Sequence, residues 1–401
     1  MGKEIRNLLI VGVDTVFAAF SAKKAGYNVY VADYFGDLDL KRVCNDFMAV
    51  VKQVEGESSG KIAENFNPEA FLELAKNLSK RYKIDGVIVS SGLDDNSDIL
   101  YELNSIAPII GNSPSIFENV RSKPYFFDEL ECIGLQYPAT EVVNDFSKAE
   151  KVASRIGYPV VVKPMVGFAG SEVRLASNKR DLKKILSSFK SECALIQKFV
   201  KGTPASISIL AGKDDVKVIS INEQLLGLPS VYQSEPFGYC GNIVPLQVSE
   251  TLSKECMTIA NEIASHFNLR GSNGIDIVLP KNGEPYVIEV NPRLQGTLGC
   301  IEKAFGINLI EAHIEACLNG VLPMTLEPFA FCARLILYAP RRIYAPDLTS
   351  IPEIWDIPLP NSVIEAGEPI CSILTQGKSP NSSIKKACRI ARKIYGGLRV
   401  A

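Results

Sequence analysis

Asp276, Glu289, Asn291, Arg293 and Lys163 are the residues of this 401-residue chain whose types and spacing could do chemistry. Four of them lie in the stretch 274–293, GIDIVLPKNGEPYVIEVNPR, which reads as two strands around a tight turn at Asn282-Gly283. With that turn centre, Lys281 pairs with Glu284, Pro280 with Pro285, Val278 with Val287 and Asp276 with Glu289. Two carboxylates are then expected face to face, where like charges repel. A divalent cation between them relieves the repulsion. Asn291 lies two residues beyond Glu289 and shares its face. Such an all-oxygen set suits Mg²⁺ or Mn²⁺. A three- or five-residue loop would break this pairing. Lys163 ends the β-branched run 158–164, YPVVVKP, just before the loop Met165–Ser171. Backbone N–H groups near Gly167 and Gly170 could close over phosphates there. A divalent cation, a lysine and an arginine together suit phosphoryl transfer.

Composition narrows the chemistry further. Only two histidines occur, His266 and His313, both in helical patterns, which leaves little room for Ser-His-Asp or Cys-His catalysis. The ten cysteines include no C-x-x-C pair and fit reduced, buried thiols in a cytoplasmic protein. A net charge of −2 gives no electrostatic case for nucleic acid or an anionic membrane. No apolar run reads as a membrane span or signal peptide.

These residues need elements to position them. Residues 7–13 and 29–33 read as strands around a helix from Thr15 to Ala25. Further strands are expected at Ala49–Val54 and Gly86–Ser90, with a helix from Pro68 to Arg81 between them. The alternation implies a doubly wound parallel sheet. The loop Ser90–Asp95 follows a strand's carboxyl end, where such sheets bind ligands. Gly12 and Asp33 evoke a dinucleotide fingerprint, but two of its three glycines are missing, so a scaffold sheet is expected. Gly377-Lys378-Ser379 lacks the first glycine of a Walker loop and reads as a polar loop. A helix is expected from Ser122 to about Ile133 and another from Phe146 to Ile156. A strand is expected at 193–200, and a basic helix around Ile384–Ile394.

The order of these parts resembles the ATP-grasp superfamily of carboxylate–amine/thiol ligases, and most closely archaeal predicted ATP-dependent carboligases related to biotin carboxylase. The resemblance covers roughly residues 1–325. It implies an α/β and α+β architecture. An N-terminal doubly wound domain would span 1–112, an ATP-grasp domain 113–325, and a small β-rich C-terminal domain 326–401. It further implies that Lys123 and Lys163 bind nucleotide phosphates, with Gly167, Gly170 and Ser171 in a lid. Gln197, Lys198, Phe199 and Val200 would hold adenine. Asp276, Glu289 and Asn291 would hold the metal, and Arg293 would meet the reacting phosphoryl group. Gln197 stands where the family usually has Glu, and Pro204 where a ribose-binding acid is common. Ser91, Asp94, Asn242 and Arg293 are candidates for the substrate, although Tyr239–Asn242 could equally be an ordinary turn. The implied reaction consumes ATP, activates a small carboxylate as an acyl phosphate and passes it to an amine or thiol. A biotin-carboxylase-like, ATP-dependent carboxylation using bicarbonate and a non-catalytic nucleotide sensor are the alternatives. A homodimer is a possible assembly.

Overall fold

The computed structural model describes residues 5–165, 167, 170, 172–189, 193–324 and 327–401. Strands Asp46–Ala49, Asn28–Asp33, Asn7–Gly12 and Gly86–Val89 lie side by side in that order, all parallel. The central strands are apolar throughout because helices cover both faces. Leu8 and Ile10 pack with the helix Val16–Lys24. Leu9 and Val11 pack with the helix Pro68–Arg81. Asn67 caps the latter helix by accepting a hydrogen bond from Glu69 N–H. The strand expected at 49–54 sits earlier, at Asp46–Ala49, because its partner ends where Asp33 meets Ala49.

Among the described residues, eight antiparallel strands form the largest sheet. Its order is Tyr286–Asn291, Gly271–Leu279, Thr203–Ala211, Val216–Leu226, Tyr239–Val244, Phe331–Tyr338, Pro369–Gly377 and Ile354–Trp355. The C-terminal strands therefore continue the same sheet as the hairpin. Tyr239–Asn242, read above as a loop or turn, is strand. A smaller sheet joins Thr140–Val143, Ala194–Lys198, Val160–Pro164 and Arg174–Ala176, backed by the helices Phe146–Ile156 and Lys179–Ser188. The helix expected from Ser122 begins at Tyr125. The basic C-terminal helix is longer than expected, Pro380–Gly396. Ser379 forms its capping box with Ser382, so Gly377-Lys378-Ser379 joins the end of a strand to the N-cap of a helix.

The hairpin pairs Asp276 with Glu289 as expected, but not by the expected route. Ile277 pairs with Val287 and Val278 with Tyr286, one residue off the sequence-based register. Pro280–Pro285 forms the loop in place of a two-residue turn. The ladder shifts between Asp276 and Ile277, a bulge on the second strand at Ile288 that restores the carboxylate pair.

His313 is structural. Its Nδ1 accepts from Ser272 N–H at 2.7 Å, and its Nε2 faces the Ile110 carbonyl at 2.8 Å. Those partners select the neutral ring with the proton on Nε2. Burial pushes its pKa down to about 4. The stabilising contribution is complete above 6.5 and is lost as pH falls from 6.5 towards 4, corresponding to about 3 kcal/mol. Urea unfolding across that window should show wild type losing stability more steeply than His313→Gln.

Candidate active site

The cleft is built where three parts meet: the hairpin, the head of the parallel sheet and the smaller sheet. The strand Gly271–Leu279 carries Asp276, and Tyr286–Asn291 carries Glu289 and Asn291. Asn291 Nδ2 donates to Asp276 Oδ2 at 3.2 Å, and Gln224 Nε2 donates to Asp276 Oδ1 at 2.9 Å. Glu289 lies 3.5 Å from Arg121 Nη1 and 3.7 Å from Lys123 Nζ. Burial and then the facing Glu289 push the Asp276 carboxyl above its ordinary range. Burial would also raise Glu289, but Arg121, Lys123, Lys163 and Arg293 outweigh it and hold that carboxyl low. Burial, then the nearby Lys123, lowers the Lys163 ammonium to about 8. Burial lowers Lys123 too. Four cations thus converge beside two opposed carboxylates, an arrangement suited to a polyphosphate with a divalent cation.

The donor set fits a hard cation. Asp276 and Glu289 face each other at the cost of repulsion, and Asn291 adds an amide oxygen now occupied by Arg293 Nη2 at 3.1 Å. Among the described residues no group of three or more His, Cys, Asp or Glu forms a separate metal cluster.

Arg293 Nε donates to Asp94 Oδ1 at 2.8 Å, so the loop after the strand Gly86–Val89 reaches the hairpin. Arg121 makes a fork to Asp95, with Nε–Oδ1 at 2.7 Å and Nη2–Oδ2 at 3.0 Å. Ser91 lies in the same loop, its carbonyl accepting from Val13 N–H. Asn242 is buried on the large sheet, with Nδ2 donating to Tyr239 Oη at 2.6 Å and to the Gly296 carbonyl at 3.2 Å.

The nucleotide-binding candidates divide. Lys163 ends Val160–Pro164, and Lys123 precedes the helix Tyr125–Cys132. Gln197 is buried and donates to Thr140 Oγ1 at 2.8 Å, so its side chain serves the smaller sheet. Lys198 is exposed, and Phe199 and Val200 follow the strand. Gly167 and Gly170 are described, whereas Val166, Phe168, Ala169 and Ser171 lie outside the described residues. Gly170 has φ +74°, and a Cβ there would fall 2.1 Å from the Phe237 carbonyl oxygen. Arg174, beyond the loop, pairs with Glu235. Gly170 and Arg174 thus lie against residues 235–238. Gly170→Ala should push this position away from Phe237 and weaken nucleotide binding by about tenfold, from a left-handed penalty of ~1–2 kcal/mol. Calorimetric titration with MgADP reads this directly.

Asp33 cannot serve a ribose. It is 1% exposed and takes hydrogen bonds from Thr15 Oγ1 at 2.6 Å and Gly36 N–H at 2.7 Å.

Sequence reasoning missed Arg121, Asp95, Gln224, Asp14 and Arg334. Arg334 is 3% exposed yet fully engaged. Asp14 takes its fork at 2.6 and 3.1 Å, and Asp356 lies at 2.9 Å. Ser372 Oγ and the Gly296 carbonyl accept its remaining N–H groups. A lone arginine inside the apolar strand FCARLILY was a readable signal of a buried ion pair. Arg121 gave none, because a basic residue in a helix's last turn is commonplace.

Comparison with known proteins bears on the domain and its fold. Residues 120–297 match the family model described as ATP-grasp domain. An uncharacterized protein of Methanocaldococcus jannaschii is 26% identical over 386 residues, covering 95% of this chain and 91% of that one. The structure resembles biotin carboxylase from Campylobacter jejuni, with TM-score 0.73, 17% identity and coverage of 96% and 90%. It also resembles L-amino acid ligase from Bacillus licheniformis, with TM-score 0.73, 18% identity and coverage of 100% and 99%. Among the described residues no helix is long and apolar enough to cross a membrane. The chain therefore carries an ATP-grasp domain and is built on the ATP-grasp fold.

Proposed function

We propose that the chain is an ATP-dependent, ADP-forming ligase joining a small carboxylic acid to an amine or thiol. The observation that carries this reading is the convergence of Lys123, Lys163 and Arg121 on Glu289, opposite Asp276. A carboxylate oxygen of the acid attacks the γ-phosphorus, and the bond to the β-phosphate oxygen breaks to release ADP. When the nucleophile is an amine, its nitrogen then attacks the acyl carbon of the resulting acyl phosphate. The carbon–oxygen bond breaks, phosphate leaves, and the amine's proton is lost to solvent.

Lys123 and Lys163 hold the phosphates, and Arg293, fixed by Asp94 and Asn291, faces the transferred group. Asp276, Glu289 and Asn291 would hold Mg²⁺ (or Mn²⁺), which supplies charge neutralisation at the phosphate oxygens. Near Asn242, Arg334 is held by Asp14 and Asp356, and the Gly296 carbonyl accepts from both Asn242 and Arg334. A ligase should release ADP and phosphate only when acid and nucleophile are both present. A broad panel in which MgATP binds and no ADP forms would favour a nucleotide sensor. Dimer formation and a cytoplasmic location accord with this reading and are read by sedimentation and fractionation.

A further inference from the structure

A second cavity, of about 440 Å³, lies away from the cleft among the helices Val16–Lys24 and Leu298–Phe305 and residue Trp355. Its volume is within the range of small-molecule sites. The floor is aromatic. Phe17 stacks on Trp355 with ring centroids 4.7 Å apart and planes 29° apart, and Phe20 meets the same indole edge-on at 4.7 Å. The rim is basic, formed by exposed Lys23 and Lys24 and half-buried Lys303. Among the described residues none of the three forms an ion pair within 4.0 Å of a carboxylate. The one acid in the lining, Glu302, is already engaged. Its carboxylate accepts from Ser21 Oγ and from Leu309 N–H at 2.7 Å. Trp355 Nε1 is buried with no hydrogen-bond partner.

We infer that this cavity binds a planar-ring anion of the nucleoside monophosphate kind. The ring would lie on the Phe20 and Trp355 surface, and the phosphate would meet the lysines. An aromatic floor offers dispersion and stacking to a flat ring. Three ammonium groups, with only the more distant Glu302 and Glu353 carboxylates acting on Lys24 and Lys303, supply a field suited to a dianion. The aromatics also pack against the core, Phe17 beneath Arg334, but Phe20 and Trp355 remain partly exposed. Lys23 and Lys24 also oppose the dipole at their helix's C-terminus, but that role does not call for Lys303 or the aromatic floor.

The cavity also communicates with the cleft. Phe17 carries the Arg334 guanidinium on its ring at 4.9 Å, and Asp356, next to Trp355, pairs with the same arginine. Asp14, the other partner of Arg334, lies just before Thr15 and the helix that bears Phe17 and both lysines. A ligand that moves Phe17 or Trp355 therefore bears on the charged group at the end of the cleft. The site is one for an effector, and its occupancy does not depend on the ligase reading.

Trp355 is the single tryptophan of the chain, so its emission reports this cavity directly. Titration of the full chain with AMP or UMP should give a saturable emission change, and adenosine or inorganic phosphate alone at the same concentration should not. Lys23→Gln with Lys24→Gln should weaken that binding roughly tenfold, from lost charge-assisted contacts. Lys163→Gln, in the cleft, should leave it unchanged. The inference is overturned if no monophosphate changes the emission, or if the signal survives in the double variant. It is equally overturned if the signal disappears with Lys163→Gln, which would place the binding in the cleft. Emission that follows protein concentration and ignores every probe would assign the face to self-association and contradict the inference.

Discussion

Glu289→Gln should lower Mg²⁺-dependent turnover by about 10²- to 10³-fold, the scale of losing one preorganised charge contact in a phosphoryl-transfer site. The substitution keeps the shape of the side chain and removes its charge. Repulsion with Asp276 is relieved, while Arg121 and Lys123 lose a partner at 3.5 and 3.7 Å. Arg121 keeps its fork to Asp95, so the neighbourhood does not collapse. Fold and melting temperature should stay close to wild type, and the Mg²⁺ dependence of nucleotide binding should flatten. Comparing MgADP with metal-free ADP by calorimetry measures this. A variant with undiminished Mg²⁺ dependence would remove the hairpin from the metal site.

Lys163 should impose a pH limit on nucleotide binding. Without nucleotide its ammonium is lowered to about 8 by burial and then by Lys123. Phosphate favours the charged form, so binding raises that pKa. Affinity should be flat below about 8 and fall by up to roughly tenfold per pH unit above it, until the bound form also titrates. Lys163→Gln should weaken binding about 10- to 100-fold at neutral pH and abolish the slope. Isothermal titrations at several pH values test both statements. A wild-type affinity flat from pH 7 to 10 would separate Lys163 from the phosphates.

Local patterns pointed to several residues that the structure brings together in the candidate site. The parallel sheet was legible because its apolar strands alternate with helices bearing clear ends, such as Asn67-Pro68. The opposed carboxylates were legible because period-two alternation placed them on one face. The register near the turn was not, since a six-residue loop and a bulge at Ile288 make errors that cancel at Asp276. Pro280 and Pro285 lie in the loop itself, so their match in the two-residue-turn register was coincidental. The cleft's distant partners were not legible, because Asp94, Asp95 and Asp14 reach Arg293, Arg121 and Arg334 only through tertiary packing. Strand Tyr239–Val244 was hidden by its glycine. Gly241 has φ +124°, and a Cβ there would fall 2.0 Å from the Arg334 carbonyl oxygen. A residue that looked like a turn former is needed for two strands to approach closely.

The central claim is that this chain activates a carboxylate through an acyl phosphate. The direct measurement uses a turning-over acid–amine pair with ¹⁸O in the acid's carboxylate. The account predicts ADP as the nucleotide product and one ¹⁸O atom carried into the released phosphate. Unlabelled phosphate, or AMP and pyrophosphate in place of ADP, would contradict it.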